Sequence, residues 1–107
     1  MNPPAPLAHA TRERTVAALR AMEGELRRHG VAGLRLYGSL ARGEASEASD
    51  IDLLLTLAPG TCFSLLEMSA VRLLVTDRLG REAAVVVDDD VSTPFRSRIA
   101  DDLVVVY

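Results

Sequence analysis

The stretch LYGSLARGEASEASDIDLLL, residues 36–55, is the part of the chain around which everything else is organised. Apolar residues that predict a strand lead into a Gly38-Ser39 turn, and a polar loop follows. A second predicted strand then begins with Asp50 and Asp52. Because side chains alternate between the two faces of a strand, these two carboxylates should point the same way.

The carboxylate pair can be interpreted in two ways. Two carboxylates side by side repel each other, and one of them would ordinarily take up a proton. A divalent cation between Asp50 and Asp52 would remove that repulsion, and Mg²⁺ prefers a few carboxylates together with phosphate oxygens. The alternative is a strand end whose acidic side chains simply face water. The pair by itself leaves both interpretations open.

The Gly38-Ser39 turn favours a ligand site over a solvated strand end. Glycine lets the backbone approach a ligand closely, and Ser39 is expected to cap a helical turn at 40–42. The free N–H groups of such a turn suit a phosphate, although an ordinary Gly-Ser turn is the alternative. The stretch is not a P-loop, because the chain contains no Lys. Nor is it an EF-hand, because Leu54 and Leu55 replace an oxygen ligand and a glycine.

Together, GSLARG at 38–43 and SDIDLL at 49–54 resemble the signature of the polymerase β-like nucleotidyltransferase superfamily. The branch that the chain resembles is the minimal nucleotidyltransferases, and the resemblance extends from the first predicted helix to the end. It implies a nucleotidyltransferase fold: an α+β (α/β-like) domain with a small mixed β-sheet and helices packed on it. It also implies the site residues, which are nucleotide-binding Gly38, Ser39 and Arg42, and catalytic, metal-binding Asp50 and Asp52.

The resemblance implies a reaction and a partner as well. Members of the superfamily transfer a nucleoside monophosphate from an NTP to an acceptor hydroxyl, with one or two Mg²⁺ ions. For this chain we expect AMP from ATP, with a HEPN-type toxin as acceptor or partner. The rival interpretation is a catalytically degenerate fold that acts as a non-enzymatic antitoxin or binding module.

One position departs from the family pattern. The family usually carries a third acidic residue in a segment such as G-R-x-V-D-L-V, and here the segment 80–86 reads GREAAVV, with Ala84 in the acidic position. Asp88 has the same strand parity but lies roughly 13 Å further along the strand. Glu82 lies about 7 Å from Ala84 in the other direction. Its longer side chain makes it a better candidate than Asp88 for the third carboxylate, although neither matches the family pattern. Transfer by the isolated protein is therefore expected to be slow or absent.

Length and composition limit the remaining possibilities. The chain has 107 residues, which predicts one domain spanning 1–107 with a flexible segment at 1–6. A net charge of −3 argues against general nucleic-acid binding. Only one cysteine, Cys62, is present, and no apolar run approaches the ~20 residues of a membrane span. The N-terminus MNPPAP does not resemble a signal peptide, so we expect a cytoplasmic protein; its oligomeric state stays open.

Hydrophobic periodicity predicts the other elements. Helices are expected at 8–28, 64–80 and 93–101, and strands at 31–37, 51–57, 83–87 and 103–107. The second helix should bury a stripe that begins at Leu65, and the apolar strand 83–87 should be central in the sheet. The acidic run 88–90 should be solvated. Thr93 should cap the last helix.

Overall fold

The computed structural model describes residues 11–44, 46 and 49–107. Two sequence-based expectations therefore fall outside the described residues. They are the flexible segment 1–6 and the start of the first helix near residue 8.

A four-stranded mixed sheet with helices on its faces forms the fold, which confirms the predicted fold class. The strand order is β3-β2-β1-β4. Strand β1 pairs antiparallel with β2 and with β4, whereas β2 and β3 are parallel and are joined by α4. The bounds are α1 Arg12–Arg20, α2 Glu23–Arg28, β1 Val31–Tyr37, α3 Gly38–Arg42, β2 Ile51–Leu57, α4 Leu65–Leu79, β3 Ala83–Val87, α5 Thr93–Ile99 and β4 Val104–Val105, with 3₁₀ turns at Asp88–Asp90 and Ala100–Asp102.

The two faces of the sheet have different roles. One face packs against α1, α2 and α4 in a core of leucine, valine and isoleucine side chains that includes Leu36, Leu53 and Val75. The opposite face carries Asp52 and is called here the site face. Helix α5 lies over part of the site face, where Phe95 contacts Tyr37 edge to face at 5.6 Å between ring centroids. Burial of the apolar core supplies the main stabilisation and leaves the site face available for polar groups.

The first predicted helix is interrupted. The structure has two helices instead of one, with a turn at Ala21 and Met22 where the Met22 N–H bonds to the Leu19 carbonyl at 3.0 Å. Gly24, a weak helix former, follows two residues after Met22. Met22 and Leu26 are both fully buried.

Strand β3 is an edge strand, so its predicted central position is wrong. Its apolar composition reflects the cover provided by α4 rather than strands on both sides: Thr76 of α4 accepts a hydrogen bond from the Ala83 N–H at 3.1 Å. The predicted stripe of α4 is also wrong at its first residue. Leu65 is 82% exposed because it lies in the first turn, beyond the part of the helix that contacts the sheet, whereas Val71 is fully buried.

Two smaller expectations are corrected at the last helix. Ser92, and not Thr93, caps α5, since its hydroxyl accepts a hydrogen bond from the Phe95 N–H at 3.2 Å. Proline then falls within the first turn, where its missing N–H costs nothing. Within the described part of the chain, every helix is too short or too polar to cross a membrane.

Candidate active site

The turn after β1 begins the candidate site. Strand β1 runs directly into α3, with Tyr37 at the N-cap position in an extended conformation. Ser39 was expected to be the cap, but it lies inside the first turn of α3, so its hydroxyl does not cap the helix. Gly43 ends α3 in the left-handed region at φ 75°, as its place in the motif predicts.

Gly38 and Asp52 are in direct contact, and this contact joins the turn to the second strand. Gly38 has φ +79°, and a Cβ atom at this position would collide with Asp52 Oδ2 and lie 3.2 Å from Asp52 Cγ. Tyr37 is the register partner of Asp52 in the β1–β2 pairing. Only glycine can place the backbone this close to the carboxylate at a positive φ.

The electrostatics of Asp52 reflect its neighbours. Partial burial and the negative charge of Asp50 raise the pKa of the Asp52 carboxyl, while the Arg42 cation acts in the opposite direction. Burial, followed by the charge of Asp52, raises the pKa of the Tyr37 phenol. Asp50 itself is exposed. The two carboxylates are therefore close enough to repel, while their shared strand face stays a prediction, because Asp50 precedes the first residue of β2.

A divalent cation fits this pair. Both side chains offer carboxylate oxygens, the donors that Mg²⁺ prefers, and a cation would relieve the repulsion that raises the pKa of Asp52. No group of three or more His, Cys, Asp or Glu side chains suited to a metal occurs among residues 11–44, 46 and 49–107. Phosphate oxygens and water are the other ligands with which Mg²⁺ usually completes its coordination.

Strand register confirms that a third carboxylate is missing beside Asp52. In the parallel pairing of β2 and β3, Asp52 lies opposite Ala84. Glu82 does not replace it, because its Oε1 accepts a hydrogen bond from Arg72 of α4 at 2.7 Å. Asp88 is engaged as well, which corrects the expectation that this acidic residue is solvated. It forms ion pairs with Arg35 at 3.3 Å and with Arg96 at 2.5 Å.

Comparison with known proteins identifies the family. The sequence family described as "Nucleotidyltransferase domain" matches residues 19–106. This chain belongs to the nucleotidyltransferase family. A protein of Methanocaldococcus jannaschii named "Putative protein adenylyltransferase" is 33% identical over 79 residues, which cover 74% of this chain and 83% of that protein.

Two solved structures are similar to this nucleotidyltransferase in fold. One, described as "putative minimal nucleotidyltransferase", has a TM-score of 0.75 and 30% identity and covers 91% of this chain and 97% of that one. The other is a complex of an MNT antitoxin with a tri-AMPylated HEPN toxin from Shewanella oneidensis. It has a TM-score of 0.64 and 13% identity, with 91% of this chain and 72% of that one covered, so it supports the fold alone.

The remaining predicted residues of this nucleotidyltransferase are Ser39 and Arg42. The Ser39 hydroxyl is half-buried and makes no hydrogen bond to the described residues. The Arg42 guanidinium is engaged: its Nε donates to Glu44 Oε2 at 3.0 Å and its Nη1 to Asp102 Oδ2 at 2.8 Å. Convergence of Ser39 with the two aspartates on one ligand stays a prediction.

Sequence reasoning missed two residues at this site. Asp102 lies 60 positions from Arg42, and no periodicity or motif in the chain connects the two. Phe95 covers the ring of Tyr37 from α5. Helix α5 was expected from the sequence, but its placement on the site face follows from the order of the strands, which composition does not reveal.

Proposed function

We propose that this nucleotidyltransferase is a Mg²⁺-dependent adenylyltransferase that transfers AMP from ATP to an acceptor hydroxyl, with a HEPN-type protein as acceptor or partner. The observation that carries the proposal is the contact between Gly38 and Asp52, because it joins a turn suited to phosphate with a carboxylate pair suited to a cation. The adenylyltransferase name of the M. jannaschii relative supports AMP as the transferred group. The choice of partner follows the neighbouring complex, in which an MNT antitoxin is bound to an AMPylated HEPN toxin.

The proposed reaction forms one bond and breaks one. The acceptor oxygen attacks the α-phosphorus of ATP, the bond to the pyrophosphate oxygen breaks, and the hydroxyl proton is released. Magnesium held by Asp50 and Asp52 would supply positive charge to the phosphate oxygens. For this role both carboxylates must be ionised, and a cation between them would offset the burial and the charge of Asp50 that raise the pKa of Asp52. The absence of a side chain at Gly38 lets the turn lie directly against that carboxylate.

A second candidate function is a binding module without catalysis. It is favoured by Ala84, which lies opposite Asp52 where the family usually has its third acidic residue. In the family that carboxylate usually readies the attacking hydroxyl, so transfer would be slow or absent without it. Nucleotide would still bind, and the chain would act on its partner through association alone.

A transfer assay distinguishes the two functions. Labelled ATP is incubated with Mg²⁺, a co-expressed HEPN-type partner, and either the wild type or Ala84→Asp. We expect slow labelling by the wild type, a marked increase with Ala84→Asp, and none with Asp50→Asn/Asp52→Asn. Robust wild-type labelling that Ala84→Asp leaves unchanged would mean that the third ligand lies elsewhere. Absence of labelling in every variant, with retained nucleotide binding, would support the binding module.

The cellular location is also part of the proposal. We place the protein in the cytoplasm, where ATP is abundant. Cys62 is free and exposed, which suits a reducing compartment.

A further inference from the structure

Arg42 occupies the end of α3 with its guanidinium held on two sides. The Nε donor bonds to Glu44, and one Nη1 donor bonds to Asp102. Arginine has five N–H donors in a rigid planar fork. The other Nη1 donor and both Nη2 donors have no partner among the described residues, which span 11–44, 46 and 49–107. The guanidinium is thus fixed in orientation while more than half of its donors stay available.

The electrostatic field of Arg42 reaches the carboxylate pair. Its positive charge lowers the pKa of Asp52 and partly offsets the effects of burial and of Asp50. Helix α3 is only five residues long, and its first residue, Gly38, touches Asp52. Arg42 therefore lies at the rim of the same site, at the end of the turn that is proposed to hold phosphate.

The two carboxylates that hold Arg42 differ in their own support. Asp102 ends the 3₁₀ turn Ala100–Asp102, between the buried Ile99 of α5 and strand β4. Two residues later, Val104 is paired with Leu36 of β1, so the backbone near Asp102 is fixed to the sheet. The Asp102 side chain is 17% exposed. Glu44, in contrast, lies on the loop after α3 with a side chain that is 66% exposed.

We propose that Asp102 is a positioning residue of the nucleotide site: it orients the Arg42 guanidinium so that the free Nη2 donors meet the phosphates of ATP. The inference rests on the proposed function and extends it, because it makes the C-terminal turn Ala100–Asp102 part of the nucleotide site. A guanidinium anchored on one edge loses little conformational freedom when the other edge binds phosphate. Glu44 also bonds to the guanidinium, but its side chain is exposed, so we expect it to contribute less than Asp102 to the orientation of Arg42.

If Asp102 had a different role, removal of its charge would change ATP affinity in the opposite direction. If Asp102 only neutralised Arg42, removal of its charge would make the site more positive and ATP would bind more tightly. If Asp102 positions Arg42, the same change frees the guanidinium and ATP binds more weakly. Glu44→Gln is the matched control, because it removes one negative charge from the same guanidinium through the exposed partner.

The experiment measures Mg²⁺-ATP affinity by calorimetry for the full-length wild type, Asp102→Asn, Glu44→Gln and Asp102→Glu. Removal of a charge-assisted hydrogen bond should weaken binding by about fivefold to tenfold in Asp102→Asn. Glu44→Gln should change affinity by less than about twofold. Asp102→Glu, which keeps the carboxylate, should recover part of the loss. Thermal melting of each variant separates affinity changes from a general loss of folding.

A double-variant cycle shows whether Asp102 acts through Arg42. Asp102→Asn introduced into Arg42→Gln should have no additional effect on ATP affinity, since the group that it positions is absent. An equal effect in both backgrounds, tighter binding by Asp102→Asn, or equal effects of Asp102→Asn and Glu44→Gln would overturn the positioning role. Failure of the wild type to bind Mg²⁺-ATP would instead overturn the proposed function, and this inference with it.

Discussion

The two ends of the site face use aspartate in opposite ways. At the far end, Asp88 lies between two arginines, Arg35 of β1 and Arg96 of α5. At the near end, Asp50 and Asp52 repel each other, and neither has an ion-pair partner within 4 Å in the described part of the chain. The first arrangement fastens a helix to a sheet. The second costs folding free energy.

This contrast separates a carboxylate that the protein pairs with arginine from two carboxylates that have no ion-pair partner among the described residues. A paired carboxylate is satisfied by the protein itself, so it contributes to stability and has little left to offer a cation. A carboxylate whose pKa is raised by burial and a like charge is relieved only by a proton or a cation. Functional sites are where such unrelieved charges are retained.

Gly38→Ala is expected to have the largest effect on the near end. The new methyl group would collide with the Asp52 carboxylate at a positive φ, so we expect a destabilisation of about 2–4 kcal/mol and loss of ATP binding. Gly43→Ala is the matched control: its φ is +75°, and nothing lies within 4 Å of a Cβ there. It should cost only about 1 kcal/mol, which is the backbone strain alone. Equal losses in chemical denaturation would show that the Gly38–Asp52 contact is unimportant.

Asp88→Asn should affect the far end only. Its side chain is 21% exposed, and the change leaves Arg35 and Arg96 without their shared carboxylate. We expect a loss of about 1–2 kcal/mol in the free energy of unfolding with unchanged ATP affinity. Asp90→Asn, an exposed residue of the same 3₁₀ turn, should be neutral. Weaker ATP binding by Asp88→Asn would show that Asp88 contributes to the ligand site and not only to stability.

Asp52→Asn should have the smallest effect on stability, and the effect should be favourable. Because the pKa of Asp52 is raised above the ordinary 3.8, the folded protein keeps this proton to a higher pH than the unfolded chain. The wild type therefore loses stability relative to Asp52→Asn as pH rises from below 3.8 through the raised pKa, and the difference is constant above it. We expect less than about 1 kcal/mol at pH 7, since the group is partly exposed and screened.

Denaturation of both proteins across this pH range measures the difference. Mg²⁺ should stabilise the wild type but not Asp52→Asn, because only the wild type retains the carboxylate pair. A wild type that becomes more stable than Asp52→Asn as pH rises, with no Mg²⁺ present, would mean that Asp52 is satisfied by the protein and that the contrast with Asp88 is wrong.

The sequence predicted the local parts of the site better than the long-range ones. Alternation predicts that Asp50 and Asp52 share a face, and the strand pairing places Asp52 opposite Tyr37, directly before the turn. The Gly38 motif predicted a close backbone approach to a ligand, and the structure shows such an approach to the Asp52 carboxylate. Motif spacing also placed the missing acid at Ala84, and the register opposite Asp52 confirms it. These features depend on residues close in sequence or on a single strand pairing.

Features that depend on the order of the strands could not be predicted in this way. The apolar composition of β3 predicts a central strand of the sheet, yet β3 lies at an edge of the sheet and is covered by a helix. Asp88 lies 53 residues from its partner Arg35 in the sequence. Asp102 lies 60 residues from its partner Arg42. Their partners became clear only once α5 and β4 had been placed on the sheet.

Calorimetric titration of ATP into the protein with and without Mg²⁺ tests the central claim most directly. The wild type should bind ATP only when Mg²⁺ is present, and Asp50→Asn/Asp52→Asn should weaken that binding at least ~100-fold, because the cation loses its protein ligands. Asp89→Asn/Asp90→Asn, which removes the same charge from two exposed residues of the 3₁₀ turn after β3, should bind as the wild type does. Equal ATP affinity with and without the carboxylate pair would contradict the account.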